Sequence, residues 1–481
     1  MIMETSKFNK ITALWIVVVL VLFIASIVLG IIMRLNQSEV ISLYPTTFYT
    51  DMTVHGLTMI GIWFVAGMAA INYIMERYVK TSFYANLTAL ILTVFGVVLL
   101  WVSAFVGDFH AGWTFLHPLP LKLMWEKWAT PMFLTSMAIL GIGWLIWSLS
   151  LTASLLKKYS FSQVFAWQHL TKDPKTETPP FVLISMVTLV GIITCLIVAV
   201  VLIVLLFAEY FSRGTFVNDA LLMKNLTYFF GHTIANEMLY LGLAIIYELF
   251  SEISGKPKWK TTWYVALAWN FTMVFILTAF FHHLYMDFVQ PEGFQIIGQL
   301  ASYFASLPAA GVTVFSIIIA VYKTKIKWSL ANILFFVGVA GWVVGGLGAV
   351  IDATISNNFI LHNTLWVPAH FHTYNAMGNV LFSLGFFYWF SKQFSGEEIK
   401  YKFSKLTIIL LILGGAGFLA AFYFGGADSI PRRYSTYPVE FTTAKTLALI
   451  GATFASVYLI AILIFFANIS KRCLNVIFSR S

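Results

Sequence analysis

The feature that most constrains this chain is a series of long apolar runs separated by short polar segments. We find twelve such runs, each about 20 residues or longer, which as helices are long enough to cross roughly 30 Å of hydrocarbon. Hydrophobic residues make up 60% of the 481 positions and charged residues only 10%, which excludes an ordinary soluble domain. The runs lie near residues 11–33, 53–74, 84–107, 130–154, 180–208, 222–250, 262–285, 297–322, 329–352, 366–390, 406–427 and 444–468.

The sequence therefore predicts an all-α polytopic membrane protein, in which residues 1–481 form a single twelve-helix domain embedded in lipid. The first run follows Lys7 and Lys10, but it is too long for a signal sequence and lacks a cleavage pattern, so we expect a retained anchor. An even number of spans puts both termini on one side. Most of the 29 Lys and Arg residues fall in loops on that side, which predicts cytoplasmic termini in a prokaryotic cytoplasmic membrane. The net charge of +9 then reflects topology, and no nucleic-acid binding is expected.

Cysteine usage excludes several kinds of redox centre. Cys195 lies within the fifth run and Cys473 lies near the C-terminus, and the chain has no other cysteine. Two separated thiols cannot form a disulfide framework, ligate an iron-sulfur cluster or attach a c-type haem. Any redox centre held by this chain must use other ligands.

The histidines are the candidate ligands. Six of the ten fall inside the apolar runs, and all six are expected in the outer half of the bilayer. A single histidine in a membrane helix is often a hydrogen-bonded packing residue. Six at a common depth favour metal binding, because imidazole is a common ligand for haem iron and copper, and its neutral form places no charge in hydrocarbon. The six are His55, His232, His282, His283, His370 and His372.

Helical geometry indicates that the two histidines of the tenth run serve different centres. At about 100° per residue, His370 and His372 project roughly 200° apart and cannot bind one ion from a regular helix. His55, near the outer start of the second run, is free to partner either of them.

The histidines of the sixth and seventh runs favour a shared ion. His282 and His283 diverge by only about 100° on one helix and can approach the same metal. His232, roughly 15 Å deep in its run, can supply a third ligand from a neighbouring helix.

Five segments of the chain resemble motifs of subunit I of the haem-copper oxidase superfamily, whose catalytic core is a twelve-helix bundle. They occur in the family's order along the whole chain. The segments are GWTFLHPLP (112–120), GHTIANEMLY (231–240), FFHHLYMDF (280–288), LHNTLWVPAHFHTYNAMGN (361–379) and IPRRYSTYP (430–438).

The resemblance implies two haems and one further metal, copper or non-haem iron, at a binuclear centre. It also implies that an arginine pair on the outer side binds haem propionates, for which the forked, permanently charged guanidinium is suited. The implied ligands are His55 and His372 for a low-spin haem, His370 for a high-spin haem, His232, His282 and His283 for the second metal, and Arg432 and Arg433 for the propionates.

One departure from the family pattern concerns the substrate. Oxygen-reducing members place a tyrosine four residues after the helix VI histidine, where it supplies an electron and a proton, but here that position is Asn236. A subgroup places the tyrosine on helix VII, yet residues 271–281 contain none. Nitric oxide reductases of the superfamily need no such tyrosine, and the best-known ones use a glutamate there to bind iron. Asn236 is a poor metal ligand, although Glu237 is adjacent, and three imidazoles without a carboxylate favour copper over iron.

We therefore expect a nitric oxide reductase that converts 2 NO, two electrons and two protons into N₂O and water, with Asn236, Glu237 and Tyr240 as candidate catalytic residues. The alternative is a terminal oxidase that reduces O₂ to water, with Tyr240 as a substitute radical donor two turns below His232. A hypothesis of another class is a non-catalytic haem or metal carrier, or a transporter. For either enzyme the chain lacks binuclear-copper and c-haem motifs, so electrons must come from a second subunit, cytochrome c, a cupredoxin or quinol.

Overall fold

The fold is a bundle of long helices joined by short loops. The computed structural model describes residues 2–122, 124–171, 176–396 and 398–479. A 3₁₀ turn, Phe280–Leu284, extends α8, and a π-helical turn, Asn375–Asn379, joins α12 to α13. The helices are α1 (Ile2–Gln37), α2 (Pro45–Met75), α3 (Phe83–Phe105), α4 (Ala129–Lys158), α5 (Phe161–Val164), α6 (Pro180–Ser212), α7 (Ala220–Ile253), α8 (Trp263–Ala279), α9 (Gly293–Val321), α10 (Leu330–Ala353), α11 (Ile355–Leu361), α12 (Trp366–Tyr374), α13 (Val380–Ser395), α14 (Tyr401–Ala427) and α15 (Ala444–Phe478).

Eleven helices of the described chain are long and apolar enough to cross a membrane, which confirms an integral membrane protein. The tenth predicted run, 366–390, differs because it is built from α12, the π turn and α13 in place of one regular helix. This segment carries polar residues at close intervals, among them His370, His372, Asn375 and Asn379. A π turn inserts one extra residue into a helical turn, and such turns are frequent at functional sites. That this interrupted segment is a twelfth span remains a prediction.

Helix α7, which carries His232, begins at a defined cap. The side chain of Asp219 accepts a hydrogen bond of 2.7 Å from the backbone N–H of Leu222. This bond satisfies one of the four amides that lack partners at a helix start, and the carboxylate also complements the positive end of the helix dipole. The cap therefore fixes the N-terminal end of α7, about three turns before His232.

The helices pack so that α2 and α7 lie deepest in the bundle. Of the eleven span candidates these two have the largest buried share, and they pack against each other. Helix α12 packs between α10 and α14, and α1 contacts both α2 and α15, so the first and last helices are neighbours. The six histidines predicted to bind metals are thereby distributed over α2, α7, the end of α8 and α12, which surround the centre of the bundle.

Close approach of α14 and α15 gives a prediction about stability. A Cβ atom added at Gly414 would lie 2.5 Å from the backbone nitrogen of Tyr458, whereas one added at Gly141 on α4 would meet nothing within 4 Å. Because the obstacle at Gly414 is backbone, the two helices must separate. We expect Gly414→Ala to cost about 1–3 kcal/mol, the usual penalty of overpacking, and to lower the melting temperature of the purified protein. The matched variant Gly141→Ala should melt as the wild type does; equal melting of all three proteins would contradict the packing.

Candidate metal centre and adjoining cavity

Three histidines meet where α7 and the 3₁₀ turn at the end of α8 face each other. The ligand atoms of His232, His282 and His283 all lie within 4.8 Å of one another, and no other such group of histidine, cysteine or acidic side chains occurs in the described residues. His232 Nδ1 is 3.2 Å from His283 Nε2. Three converging imidazoles at this separation are the donor set of a copper or zinc-type site, and no carboxylate belongs to the group.

Two of these rings, those of His232 and His282, each contact a polar side chain. His232 Nε2 is 3.1 Å from the side-chain amide of Asn236, and the Asn236 amide nitrogen donates to the His232 carbonyl oxygen at 3.0 Å. His282 Nδ1 is 2.9 Å from the Ser302 hydroxyl of α9. Metal-binding histidines commonly use their second nitrogen in this way, since the outer hydrogen bond fixes the ring and its tautomer. The contact with Ser302 leaves Nε2 of His282 for a metal, and His232 turns its Nδ1 toward His283.

A second pair of histidines faces across the bundle from α2 and α12. The rings of His55 and His372 lie 6.4 Å apart, centroid to centroid, at an angle of 24°. His55 Nδ1 is held by the Ser26 carbonyl and His372 Nδ1 by the Pro368 carbonyl, each at 2.7 Å. Both Nε2 atoms are therefore available, and two nearly parallel imidazoles fixed at Nδ1 fit the axial ligands of one haem iron.

His370 lies on the other side of α12 from His372. Neither of its ring nitrogens has a hydrogen-bond partner among the described residues, although both are buried. The nearest charged group is Asp352 of α10, with a carboxylate oxygen 3.4 Å from His370 Nε2. Asp352 is thus a long ion-pair contact of Nε2, and Nδ1 has no partner among the described residues, so this buried ring has a nitrogen free for a metal. The chemistry of His370 thus fits the single proximal ligand of a second haem.

One cavity of about 450 Å³ joins these groups. Its volume falls within the range of pockets that bind sizeable ligands, and its wall is mainly apolar, as a porphyrin requires. The polar groups that line it are the six histidines His55, His232, His282, His283, His370 and His372, the arginines Arg432 and Arg433, and Asn236 among a few others.

The arginine pair lies on the loop between α14 and α15 and lines this cavity. The backbone N–H of Arg432 donates to the Asn363 carbonyl at 2.8 Å, and its guanidinium donates to the Asn363 side-chain oxygen at 3.1 Å. Burial, together with the neighbouring Arg433, lowers the pKa of Arg432 to about 10, so it stays charged at neutral pH. Arg433 adopts a left-handed φ of 71°, and its carbonyl accepts a hydrogen bond from Tyr49. Two fixed cations at the mouth of the cavity suit carboxylate groups such as propionates.

The candidate catalytic residues Asn236, Glu237 and Tyr240 are not brought together. Only Asn236 lines the cavity. Glu237 is fully buried but faces α6, where a side chain at Gly191 would overlap its carboxyl group, so it is not placed as a ligand of the three-histidine group. Tyr240 donates instead to the Ala305 carbonyl at 3.3 Å. The reason is the 100° step between consecutive helical residues, which turns Glu237 away from the face that carries Asn236.

Sequence reasoning missed several side chains that the fold adds to the site. The side chains of Ser302 and Asp352 and the backbone carbonyl of Ser26 contact the predicted ligands, and Tyr228 packs against His283. Each contacts a histidine on a different element of the chain, so no local spacing could have revealed it. The only local signal belongs to Tyr228, which stands one helical turn before His232.

Long apolar helices around a cavity lined by converging histidines define a redox metalloprotein of the membrane. Residues 10–454 match the family model of Cytochrome C and Quinol oxidase polypeptide I, and the protein belongs to that family. It is therefore a haem-copper oxidase subunit I and an oxidoreductase, which leaves the hypothesis of a carrier or transporter without support.

Similar proteins agree with this membership. Cytochrome c oxidase subunit 1 of Synechocystis is 26% identical over 428 residues, covering 85% of this chain and 73% of the relative. Cytochrome bo(3) ubiquinol oxidase subunit 1 of Buchnera aphidicola is 26% identical over 498 residues, covering 97% of this chain and 72% of the relative. A solved heme-copper terminal oxidase dimer has the same fold, with a TM-score of 0.80 at 20% identity over 99% of this chain and 84% of that one.

Proposed function

We propose that this chain is the catalytic subunit of a respiratory terminal oxidase that reduces O₂ to water. The observation that carries the proposal is the group of three imidazoles without a carboxylate, which favours copper as the second metal. The relatives support the same choice, since they are cytochrome c and quinol oxidases. The named relatives thus favour the terminal-oxidase alternative over the nitric oxide reductase that the sequence led us to expect.

In this proposal the position of each residue in the cavity sets its role. His55 and His372 hold the low-spin haem, His370 holds the high-spin haem, and the haems and copper supply the electron transfer and the O₂ chemistry when bound. Asn236 contacts Nε2 of His232 and so holds the orientation of this ring. Arg432 and Arg433 bind the haem propionates at the outer end of the cavity.

Protons consumed at the site require polar groups on the cytoplasmic side of it. Tyr247 and Thr313 share a hydrogen bond of 3.0 Å between α7 and α9. Nearer the cavity, Tyr240 and Thr272 both donate to the Ala305 carbonyl, at 3.3 and 3.0 Å. These hydroxyls form two steps along α7 toward His232, and we assign them to proton delivery.

The proposal also covers the setting of the chain. The termini face the cytoplasm of a prokaryotic cell, the helices contact lipid, and the cavity lies toward the outer face. Electrons come from cytochrome c, a cupredoxin or quinol, directly or through a second subunit.

Asn236 favours nitric oxide reduction as a second candidate function. Its amide occupies the place of the family's oxidase tyrosine and is hydrogen-bonded to the same histidine. Joining two NO molecules takes two electrons and two protons and does not need the electron that the tyrosine supplies.

Gas consumption by the purified, haem-loaded protein with a chemical electron donor tests the two functions. We expect rapid O₂ uptake with no N₂O release when NO is offered. N₂O formed at one molecule per two NO, with negligible O₂ uptake, would overturn the proposal in favour of NO reduction. A reduced-minus-oxidised spectrum with and without CO, taken on the same sample, confirms that an open haem is present, because CO binds only where an axial position of the iron is free.

A further inference from the structure

The missing tyrosine leaves the proposed oxidase without a source for one electron. Complete reduction of O₂ to two waters takes four electrons and four protons. At the two positions where the superfamily places its tyrosine, this chain has Asn236 and the tyrosine-free stretch 271–281. An oxidisable side chain next to the three-histidine group would take the place of that tyrosine.

Three tyrosines line the cavity among the described residues, and their positions differ. Tyr458 donates its hydroxyl to the Ala376 carbonyl at 2.8 Å. Tyr374 lies beside His370, with ring centroids 6.4 Å apart and ring planes at 77°. Tyr228 alone among them is in ring contact with the three-histidine group, stacked on His283 at 5.1 Å with an angle of only 20° between the planes.

Helix α7 explains why Tyr228 occupies this position. Residues four apart lie on the same face of a helix, so Tyr228 stands directly above His232, one turn nearer the outer surface. From there its ring covers the face of His283, which arrives from the end of α8. Arg432 and Arg433 line the same cavity. The phenol thus lies against a metal-site histidine in a cavity that also holds two guanidinium groups.

We propose that Tyr228 is the redox-active tyrosine of this chain and takes the role that Asn236 cannot fill. The Tyr228 O–H bond breaks, one electron passes through the stacked His283 ring to the O₂ being reduced, and the proton leaves to water in the cavity. A neutral phenoxyl radical remains. One electron from the donor and one proton from water later restore the phenol, so the overall reaction still uses four electrons and four protons for each O₂. This inference rests on the proposed oxidase function.

The test is freeze-quench electron paramagnetic resonance on the oxidised, haem- and metal-loaded protein mixed with hydrogen peroxide. We expect an organic radical whose spectrum narrows when the protein is grown with ring-deuterated tyrosine, which identifies the radical as a tyrosyl species. Tyr228→Phe should lose this signal, while the matched variants Tyr374→Phe and Tyr458→Phe should keep it. Haem spectra and metal content, measured on every variant, show whether Tyr228→Phe retains an assembled site.

The outcomes separate this inference from the function on which it rests. A tyrosyl signal that persists in Tyr228→Phe, or no tyrosyl signal in the wild type, would refute the inference even if the wild type consumes O₂. If the wild type forms N₂O and does not consume O₂, the oxidase proposal itself is wrong. Loss of the signal together with slowed O₂ uptake in Tyr228→Phe only, at unchanged haem and metal content, is the result that supports both. A more disruptive second variant, Tyr228→Leu, should behave as Tyr228→Phe does, because removal of the phenol and not a change in packing is the cause.

Discussion

Replacing His282 with alanine is expected to remove the second metal and to lower gas-reduction activity by more than about 100-fold. Loss of an outer hydrogen-bond partner alone typically costs 10–100-fold in affinity or activity, and loss of a ligand itself should cost more. Because His282 is tied to Ser302 and converges with His232 and His283, its removal leaves only two imidazoles for the ion. Metal analysis of the purified protein, with haem content from its absorption spectrum, measures the effect.

Both haems should remain in that variant, since the predicted haem ligands are His55, His372 and His370 and do not include His282. The control is His110→Ala, which removes an imidazole that lies edge-on to Trp125 in the loop after α3 and does not line the cavity. It should retain the metal and the activity. Full metal content in the His282 variant would show that the three-histidine group does not hold an ion.

Replacing His372 with alanine is expected to remove one of the two haems and to leave the CO-binding haem in place. The ring of His372 is the only one on α12 that faces His55, and both rings are already fixed at Nδ1 with Nε2 free. A six-coordinate haem loses an axial ligand when either is removed. The reduced-minus-oxidised spectrum should lose its low-spin component, and electron delivery to the site should stop.

The reciprocal variant, His370→Ala, should lose the CO-binding component and keep the low-spin one. His370 and His372 are two residues apart, so a general disturbance of α12 would remove both signals together. Opposite losses in the two variants would establish that the histidines serve separate haems. Loss of the same component in both variants would contradict the division of roles.

Most of the architecture could be predicted from hydropathy. The sixth apolar run, 222–250, corresponds to α7 at Ala220–Ile253, and the fifth, 180–208, corresponds to α6 at Pro180–Ser212. The predicted runs are a few residues shorter than the observed helices. The helices continue past the apolar core into polar residues, where backbone hydrogen bonds still favour the helix. The π turn at Asn375–Asn379 was not predicted, since the run looks uniformly helical in sequence.

The site was only partly predictable, for a reason that Glu237 and Tyr228 illustrate. Glu237 is adjacent in sequence to a residue that contacts His232, yet it faces α6. Tyr228 belongs to no motif, yet it is stacked on a histidine of another helix. Sequence spacing fixes the face of a helix on which a residue lies, whereas the rotation and tilt of the neighbouring helix decide what that face meets.

The sequence by itself determined the membrane class and the approximate length of the apolar runs, because hydrophobicity and helical rise act along the chain; the common depth of the six imidazoles stays a prediction. Only the tertiary structure decided which of those imidazoles face one another. It paired His55 with His372 and gathered His232, His282 and His283 around one point. These contacts depend on side-chain packing between helices far apart in sequence, and no local pattern encodes that packing.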